Sequence, residues 1–491
     1  MRHGISYYKW SKKDSQVFHH SIRTILEVDE PQLYFPIMSL FFYIHNTPLS
    51  HRIVDFKRSH YIQEVLCYEP LRDYTSNIML TARVLNNGKD ETNELFCKVI
   101  PLLDPVHFLL NNYNISNHRQ SLLPSNYSFN TFTKINNMDN MAYIDTFFSY
   151  LLSNVTTADK NPSFPIYYGS ANGIGNYRYD ITDDIDEFKN HQGFNYLYKK
   201  HFIMEEFNNY SSSNSSRNSS RDSSSNSSSN SSSNSSHYDS DSDTASDDVV
   251  VTLKKFPVLY LFIEKLEGTL EDIIKQELSL SLLRSCLFQI TFALIYLQKH
   301  YHFTHNDLHI NNVMYVSTDR PFLYYKYNNQ YFKIPTYGKI FKIIDFGRSV
   351  FTYQKKTYMN DVFSKYGEAE GQYTHPPQVS FLKTEFKDVI YPSYYFDLCR
   401  LAITMIDEIR FNHDDELEDE DNYQDFLDFL KYLVTDKNGQ RLDKEDDNFD
   451  LYIKIARDAK NSLPRDIILN PFFHEYRVKK KKFPKSTYYS V

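Results

Sequence analysis

The chain has 491 residues, with 54 basic and 62 acidic side chains and a formal net charge of -8. Its hydrophobic content of 41% can fill a real core, which excludes disorder throughout the chain. The acidic balance argues against a protein that coats nucleic acid, because that task leaves a basic surface. Glycine is scarce: the 12 glycines are roughly 2.4% of the chain, against about 7% on average. A glycine-lined phosphate loop must therefore draw on very few residues.

The cysteines and the apolar segments indicate the compartment. The four cysteines lie far apart and match no zinc-binding spacing. The N-terminus does not resemble a secretory leader, and the strongly apolar stretches are shorter than the roughly 20 residues that cross a bilayer. We therefore expect a reduced, cytoplasmic location, without a membrane or a nucleic-acid partner.

A tract at about 210–247 consists almost entirely of Ser and Asn, with Asp entering at its end. Such a composition cannot bury enough apolar surface to offset the entropy lost on ordering, so we predict disorder. We interpret the tract as a spacer. The alternative is a phosphoacceptor segment, because serines followed by Asp suit acid-directed kinases.

Outside this tract, the sequence predicts mixed strands and loops up to about residue 170, a strand near 258–264 and mostly helices after it. The segment 282–297 repeats apolar residues at three- and four-residue spacing, which predicts a core helix. Two polar motifs follow. The first is HNDLHINNVMY at 305–315, and the second is the apolar strand and turn KIFKIIDFGRS at 339–349.

These two motifs hold the residue types that phosphoryl transfer requires. The reaction needs a carboxylate that orients the attacking hydroxyl, oxygen ligands for magnesium and a cation on the phosphates. Asp307 and Asn312 stand five residues apart in the first motif, and Asp345 ends the strand of the second. The two motifs could therefore converge on one metal site.

On these residues the sequence resembles the protein kinase superfamily, specifically the divergent serine/threonine kinase-like proteins of giant double-stranded DNA viruses. The resemblance covers most of 60–475. It implies an α+β fold that is bilobal, with a small β-rich N-lobe and a large, mainly helical C-lobe. The chain would then comprise an N-terminal extension (1–59), the N-lobe with insertions (60–265), the C-lobe (266–475) and a basic tail (476–491).

The resemblance also implies a role for each motif residue. Asp307 would be catalytic and accept the proton of the substrate hydroxyl. Asn312 and Asp345 would bind the magnesium ions that bridge the phosphates of ATP.

Four further residues would be structural. His305 would position the metal-binding loop, of which Phe346 and Gly347 are part. Asp397, in the helical segment 396–407, would receive backbone N–H donors from the catalytic loop.

The resemblance places a cation and its partner in the N-lobe. The segment ELFCKVIPLLDP contains an alternating strand that ends in Lys98, and this lysine would hold the α- and β-phosphates for catalysis. Asp145, on the predicted helix 141–152, would pair with it. The family has Glu at this position, so the shorter side chain requires a closer approach or a bridging water.

The adenine would lie against the hinge between the lobes. The segments 164–169 and 258–268 resemble the fourth and fifth strands, and the second of them leads into the hinge. Backbone groups around Glu264 to Leu266 would face adenine.

Two departures from the family lie in the catalytic loop. Asn306 stands where many regulated kinases have the Arg that reads an activation-loop phosphate. His309 replaces the Lys that usually lies near the γ-phosphate. No A-P-E motif is apparent before Asp397.

Glycine placement is a further departure. Only Gly88, in an NNGK turn, lies near the strand of Lys98, and the first hairpin around 71–80 has none. The glycines at 173–175 are interpreted as a loop. In the first hairpin, backbone amides near the phosphates would come from small polar residues: Thr75, Ser76 and Asn77.

We expect an ATP- and magnesium-dependent kinase that phosphorylates Ser or Thr of a protein substrate. One alternative is a pseudokinase that acts as a binding module, which the glycine-less loop and Asp145 favour. Another is a small-molecule or lipid phosphotransferase on the same fold, which the D-L-H-x-x-N pattern suggests. A viral source would place the protein in the cytoplasm of the infected cell or in the virion.

Overall fold

The computed structural model describes most of the chain. The described residues are 5–6, 12–34, 52–53, 59–71, 75–115, 121–124, 131–207, 248–276, 279–365, 367–375, 390–417, 422–445 and 449–491. The Ser/Asn-rich tract at 210–247 lies outside them. The same is true of 376–389, part of the segment in which no A-P-E motif is apparent.

The chain folds into a mixed α+β structure in which the large sheet is antiparallel. The strands are β1 (Ile5–Ser6), β2 (Asp29–Leu33), β3 (Arg52–Ile53), β4 (His60–Pro70), β5 (Ile78–Asn86), β6 (Lys89–Pro101), β7 (Tyr167–Asp180), β8 (Phe202–Phe207), β9 (Asp248–Glu264), β10 (Gly268–Thr269), β11 (Val313–Ser317), β12 (Phe322–Tyr327), β13 (Gln330–Pro335), β14 (Lys339–Ile343), β15 (Phe351–Tyr353), β16 (Lys356–Tyr358) and β17 (Tyr489–Ser490).

The helices are distributed over the whole described chain. They are α1 (Lys12–Ile25), α2 (Pro105–Leu109), α3 (Thr133–Asn136), α4 (Met141–Thr157), α5 (Ile185–Lys189), α6 (Gln192–Leu197), α7 (Leu270–Gln276), α8 (Leu280–Tyr301), α9 (Phe396–Leu417), α10 (Tyr423–Leu433), α11 (Phe449–Asp458) and α12 (Pro464–Ile467). Short 3-10 helices include Ile310–Asn312 and Asp361–Phe363.

The large sheet has seven strands in the order β2-β7-β9-β6-β5-β4, with β8 also paired to β9. The long strand β9 is its centre: β7 pairs along one side, while β8 and β6 share the other. Val250, Leu259 and Phe262 of β9 are fully buried. A strand with partners on both sides and cover on both faces requires such an apolar run.

Both terminal segments of the chain join sheets. Strand β2, from the predicted N-terminal extension, pairs with β7 and forms one edge of the large sheet. Strand β17, from the predicted basic tail, pairs in parallel with β12, and Tyr489 is buried there. The described strand β2 of the extension and strand β17 of the tail are thus packed parts of the structure, while Lys480–Lys482 of the tail are exposed.

The interpretation of 173–175 as a loop is wrong, because these residues lie inside β7 and pair with β9. A Cβ added to Gly173 would lie 2.1 Å from Val28 Cγ1, and one added to Gly175 would lie 2.4 Å from the Tyr260 hydroxyl. Both glycines therefore let neighbouring side chains approach the strand closely, which is a packing role.

The predicted core helix is confirmed as α8. The side chain of Ser279 accepts the N–H of Leu282 and caps its N-terminus, and the helix ends at His302, which has a left-handed φ of 48°. By length and composition α8 could cross a membrane, the one such helix among the described residues, but most of it is buried within the protein.

After β9 the expectation of mostly helices was incomplete, because small sheets also form there. One of them is β10-β11-β14. In it Val313 of the first polar motif pairs with Ile343 of the second, two residues before Asp345. The β11–β14 pairing therefore brings the two polar motifs together.

Candidate functional site

The first motif is held by the buried carboxylate of Asp397, which lies in the first turn of α9. It accepts the backbone N–H of His305 at 2.9 and 3.0 Å and that of Asn306 at 3.1 Å. Burial raises the pKa of the Asp397 carboxyl to about 7, although these N–H donors oppose the rise. The predicted backbone contact of Asp397 is therefore present.

His305 connects the first motif to the second. Its Nε2 lies 2.9 Å from the carbonyl oxygen of Ile344, and its ring packs 5.7 Å from that of Phe346. Burial lowers the pKa of the imidazole, so the neutral ring donates through Nε2. Phe346 in turn packs edge-to-face against Phe148 of α4, at 5.3 Å.

Asp345 and Gly347 shape the turn that follows β14. Asp345 has a φ of 61°, in the left-handed region that residues other than glycine seldom adopt. A Cβ on Gly347 would lie 2.8 Å from Cγ of Met141, the first residue of α4. Gly347 is therefore needed for the close approach of this turn to α4.

Lys98 joins three separate elements. Its Nζ lies 2.7 Å from Asp145 Oδ2 and 2.7 Å from Asp345 Oδ1. Asp145 Oδ1 also accepts the backbone N–H of Phe346 at 3.1 Å. The Asp145 carboxylate thus contacts Lys98 directly. Of the two predicted possibilities, the closer approach is present and a bridging water is not needed.

The charged groups of this cluster shift one another's pKa values. Burial would lower the pKa of Lys98, but the two carboxylates raise it above its usual value, so the ammonium stays charged. Burial would raise the pKa of Asp345, but the charge of Lys98 and its hydrogen bond lower it to about 2. Burial raises the pKa of Asp145, and Lys98 offsets that rise only in part.

Asn312 is oriented by its neighbours in the first motif. Its Nδ2 lies 2.8 Å from the carbonyl oxygen of Asp307 and 2.9 Å from His309 Nε2. Burial lowers the pKa of His309, which favours the neutral ring, and the tautomer with its proton on Nδ1 accepts at Nε2. Both hydrogens of Nδ2 are then used, and the amide oxygen has no donor among the described residues. An amide oxygen in this state suits a magnesium ion.

The predicted metal ligands are few. In the described ranges there is no group of three or more His, Cys, Asp or Glu side chains that could hold a metal ion. Asn312 offers one oxygen, and Asp345, 42% exposed, offers the carboxylate oxygen that Lys98 does not contact. Magnesium takes six oxygen ligands. These residues therefore fit a magnesium ion only if the phosphates of a nucleotide and water molecules supply the remaining ligands.

A cavity of about 340 Å³ lies beside Lys98, between the β6 strand and the hairpin that joins β4 to β5. The small polar residues of that hairpin are fastened to the sheet. Ser76 Oγ accepts the N–H of Arg178 at 2.6 Å, and Asn77 Oδ1 accepts the N–H of Val99 at 2.9 Å. We call Thr75, Ser76 and Asn77 the polar lid.

The predicted hinge is only partly open to a ligand. The side chain of Glu264 pairs with the buried Lys342, and its N–H donates to the carbonyl oxygen of Ile166 at 2.9 Å. Leu266 is half-buried, and within the described chain its backbone groups form no hydrogen bond. Of the residues predicted to face adenine, Leu266 is therefore the better placed.

The structure adds contacts that no local sequence pattern signalled. Tyr452 donates its hydroxyl hydrogen to Asp307 Oδ1 at 2.9 Å, across 145 positions of the chain. Lys134, on α3, contacts both carboxylate oxygens of Asp361, at 2.6 and 2.7 Å. These pairs lie far apart in sequence, so spacing could not predict them.

Asn306 forms contacts that an arginine at this position would not make. It has a left-handed φ of 67°, which asparagine tolerates, and it is fully buried. Its Nδ2 donates to the carbonyl oxygen of Arg348 at 2.9 Å, and its Oδ1 accepts the hydroxyl hydrogen of Tyr373 at 2.7 Å. The first motif is thus tied to the segment after Gly347.

The geometry brings one cation and two carboxylates together at a polar cavity, and the carbonyl oxygen of Asn312 accepts the N–H of Ile344, next to Asp345, at 3.1 Å. Comparison with protein-family models and with curated protein sequences gave no match to this chain. The argument for function therefore depends on the site itself.

Proposed function

We propose that this protein is an ATP- and magnesium-dependent protein kinase of bilobal architecture, which transfers the γ-phosphate to Ser or Thr hydroxyls. The observation that carries the proposal is the double contact of Lys98. It joins a strand of the large sheet, helix α4 through Asp145, and the strand-end carboxylate of Asp345. A site for phosphoryl transfer needs such a cation beside a metal-binding carboxylate.

In this proposal, each residue has one task. ATP would bind in the cavity below the polar lid, with its phosphates at Lys98. Magnesium would supply charge neutralisation of the phosphates, held by Asn312 and Asp345. Asp307 would orient the acceptor hydroxyl and take its proton.

Nucleotide entry would rearrange the ion pairs of Lys98. Asp345 cannot bind a metal with full charge while it is paired to Lys98, so phosphate oxygens would replace Asp345 on the ammonium. Asp145 is almost fully buried and would stay paired. The low pKa of Asp345 means that its carboxylate is available to a cation throughout the neutral range.

A second candidate, a binding module that does not transfer phosphate, is favoured by the polar lid. Ser76 and Asn77 are hydrogen-bonded to β7 and β6 instead of forming a flexible glycine loop. A lid held in this way could limit access of the γ-phosphate to Asp307 while leaving nucleotide binding possible.

Transfer of label from γ-labelled ATP to mixed protein substrates separates the two candidates. We expect incorporation on Ser and Thr with magnesium, none with excess EDTA and none with Asp307→Asn. Asp425→Asn, which changes an exposed carboxylate on α10, is the matched control and should behave as wild type. Thermal stabilisation by ATP and magnesium without transfer to any acceptor would favour the binding module.

A further inference from the structure

Asp307 is contacted by a tyrosine from a distant helix. Tyr452 lies on α11, and its hydroxyl donates to Asp307 Oδ1 at 2.9 Å. The resemblance to kinases assigned no role to this tyrosine. The contact reaches the carboxylate that the proposed reaction uses as its base.

The Tyr452 ring is held on several sides. The ring of Phe449 lies nearly parallel to it, with centres 6.1 Å apart, and that of Phe396 lies 6.0 Å away. The guanidinium of Arg400 lies 4.9 Å from the centre of the Tyr452 ring. A ring packed in this way presents its hydroxyl in one direction.

The same helix supports both the backbone and the carboxylate of the catalytic loop. Helix α9 carries Asp397, which binds the N–H groups of His305 and Asn306, and one turn later Arg400. Arg400 contacts Tyr452, and Tyr452 contacts Asp307. The position of the Asp307 side chain is therefore coupled to α9.

We propose that Tyr452 is a positioning residue: its hydroxyl holds Asp307 Oδ1 and leaves Oδ2 to receive the acceptor proton. This inference rests on the proposed kinase function. During transfer, the acceptor O–H bond breaks, its proton moves to Oδ2 and the acceptor oxygen bonds to the γ-phosphorus. The bond from that phosphorus to the β-bridging oxygen breaks, and ADP leaves with the electron pair. Tyr452 keeps its own proton throughout.

The alternative role for the same contact, inhibition, predicts the opposite effect of removing the Tyr452 hydroxyl on the rate of phosphoryl transfer. If the phenol occupied the place of the acceptor hydroxyl, it would block the base and the protein would be held inactive. Removal of the hydroxyl would then increase the rate. A carboxylate has lone pairs for more than one donor, and Asp307 Oδ2 has no donor in the described part of the chain, which favours positioning over blocking.

Tyr452→Phe removes the hydroxyl and keeps the packed ring, so folding should be unaffected. We expect kcat to fall roughly tenfold, the order of one hydrogen bond to a charged group. The KM for ATP should not change, because the contact does not reach the nucleotide. Tyr432→Phe, at an exposed tyrosine of α10, is the matched control. An unchanged or increased kcat in Tyr452→Phe, with an active wild type, overturns the inference.

A titration tests the contact without any phosphoryl transfer. Burial raises the pKa of Tyr452 and the charge of Asp307 raises it further, while Arg400 lowers it in part. In protein with carbon-13-labelled tyrosine rings, the signal that Tyr452→Phe removes should titrate at lower pH in Asp307→Asn. An unchanged titration means that the contact is absent and overturns the inference. If the titration shifts but wild type transfers no phosphate to any acceptor, the kinase function is refuted and the contact stands.

Discussion

Replacement of Lys98 by methionine tests the charge cluster on which the proposed function depends. Methionine keeps most of the length and apolar surface of the side chain, so the change removes the ammonium and little else. It leaves Asp145 and Asp345 near each other without their shared cation. The expected result is a loss of stability at neutral pH that acid partly restores.

The size of the loss follows from the exposure of the two contacts. The side chain of Asp145 is 3% exposed and that of Lys98 24%, so their pair is close to a buried one. Loss of one partner of a buried pair costs about 3–5 kcal/mol, and partial exposure reduces this to about 2–3. Asp345 is 42% exposed, so solvent screening limits its contact to about 1 kcal/mol or less. We expect the two lost contacts together to lower the free energy of unfolding by about 3 kcal/mol.

The pH dependence of stability differs between the two proteins. In wild type the pKa of Asp345, about 2, lies below its unfolded value of about 3.9. Its contribution is present above that unfolded value and is lost as the pH falls toward 2. In wild type burial already raises the pKa of Asp145 and Lys98 offsets part of that rise; in Lys98→Met the offset is lost, so the pKa lies further above its unfolded value. The folded variant then binds the extra proton, and its stability rises as the pH falls from 7 toward 4.

Thermal unfolding of both proteins at pH 7.5 and pH 5 measures the effect. The deficit of Lys98→Met relative to wild type should shrink by about half at pH 5. The control is Lys265→Met, because Lys265 forms an ion pair of the same length, 2.7 Å, with Glu94, and both side chains are well exposed. It should change stability by less than about 0.5 kcal/mol at either pH. A deficit in Lys98→Met that is equal or larger at pH 5 would refute the assigned charge cluster.

Three other substitutions test parts of the structure around the site. Asn77→Ala leaves the N–H of Val99 without its acceptor, so unfolding should require about 1–2 kcal/mol less; an unchanged melting temperature would contradict the lid contact. Gly173→Ala forces a Cβ into Val28 and should destabilise by about 2 kcal/mol or more in the same assay, whereas a loop at 173–175 would tolerate it. Lys134→Met removes the partner of Asp361, and we expect faster amide hydrogen exchange around 361–363, with α8 unchanged as an internal reference.

The sequence predicted those site residues that lie close together along the chain or belong to a recognisable motif. Asp307 and Asn312 share one loop, and Asp345 follows an apolar strand. Their spacing alone could therefore identify them as candidate site residues. Lys98 and Asp145 required the resemblance, since a lysine on a strand and an acid on a helix have no distinctive pattern. Tyr452 could not be predicted, because its place beside Asp307 is set by the packing of α11 against α9.

Glycine use explains both the wrong prediction at 173–175 and the polar lid. A glycine pair suggests a loop when only its flexibility is considered, but in β7 the pair is needed because Val28 and the hydroxyl of Tyr260 occupy the space of a side chain. In the polar lid the reverse holds: Asn77 is useful for the side chain that glycine lacks, since it accepts the N–H of Val99. The lid is consequently fixed by hydrogen bonds to the sheet before any ligand binds. A nucleotide that enters beside Lys98 would therefore meet a polar lid that is already in place. Its affinity would depend more on the replacement of Asp345 by phosphate at the Lys98 ammonium than on closure of the lid.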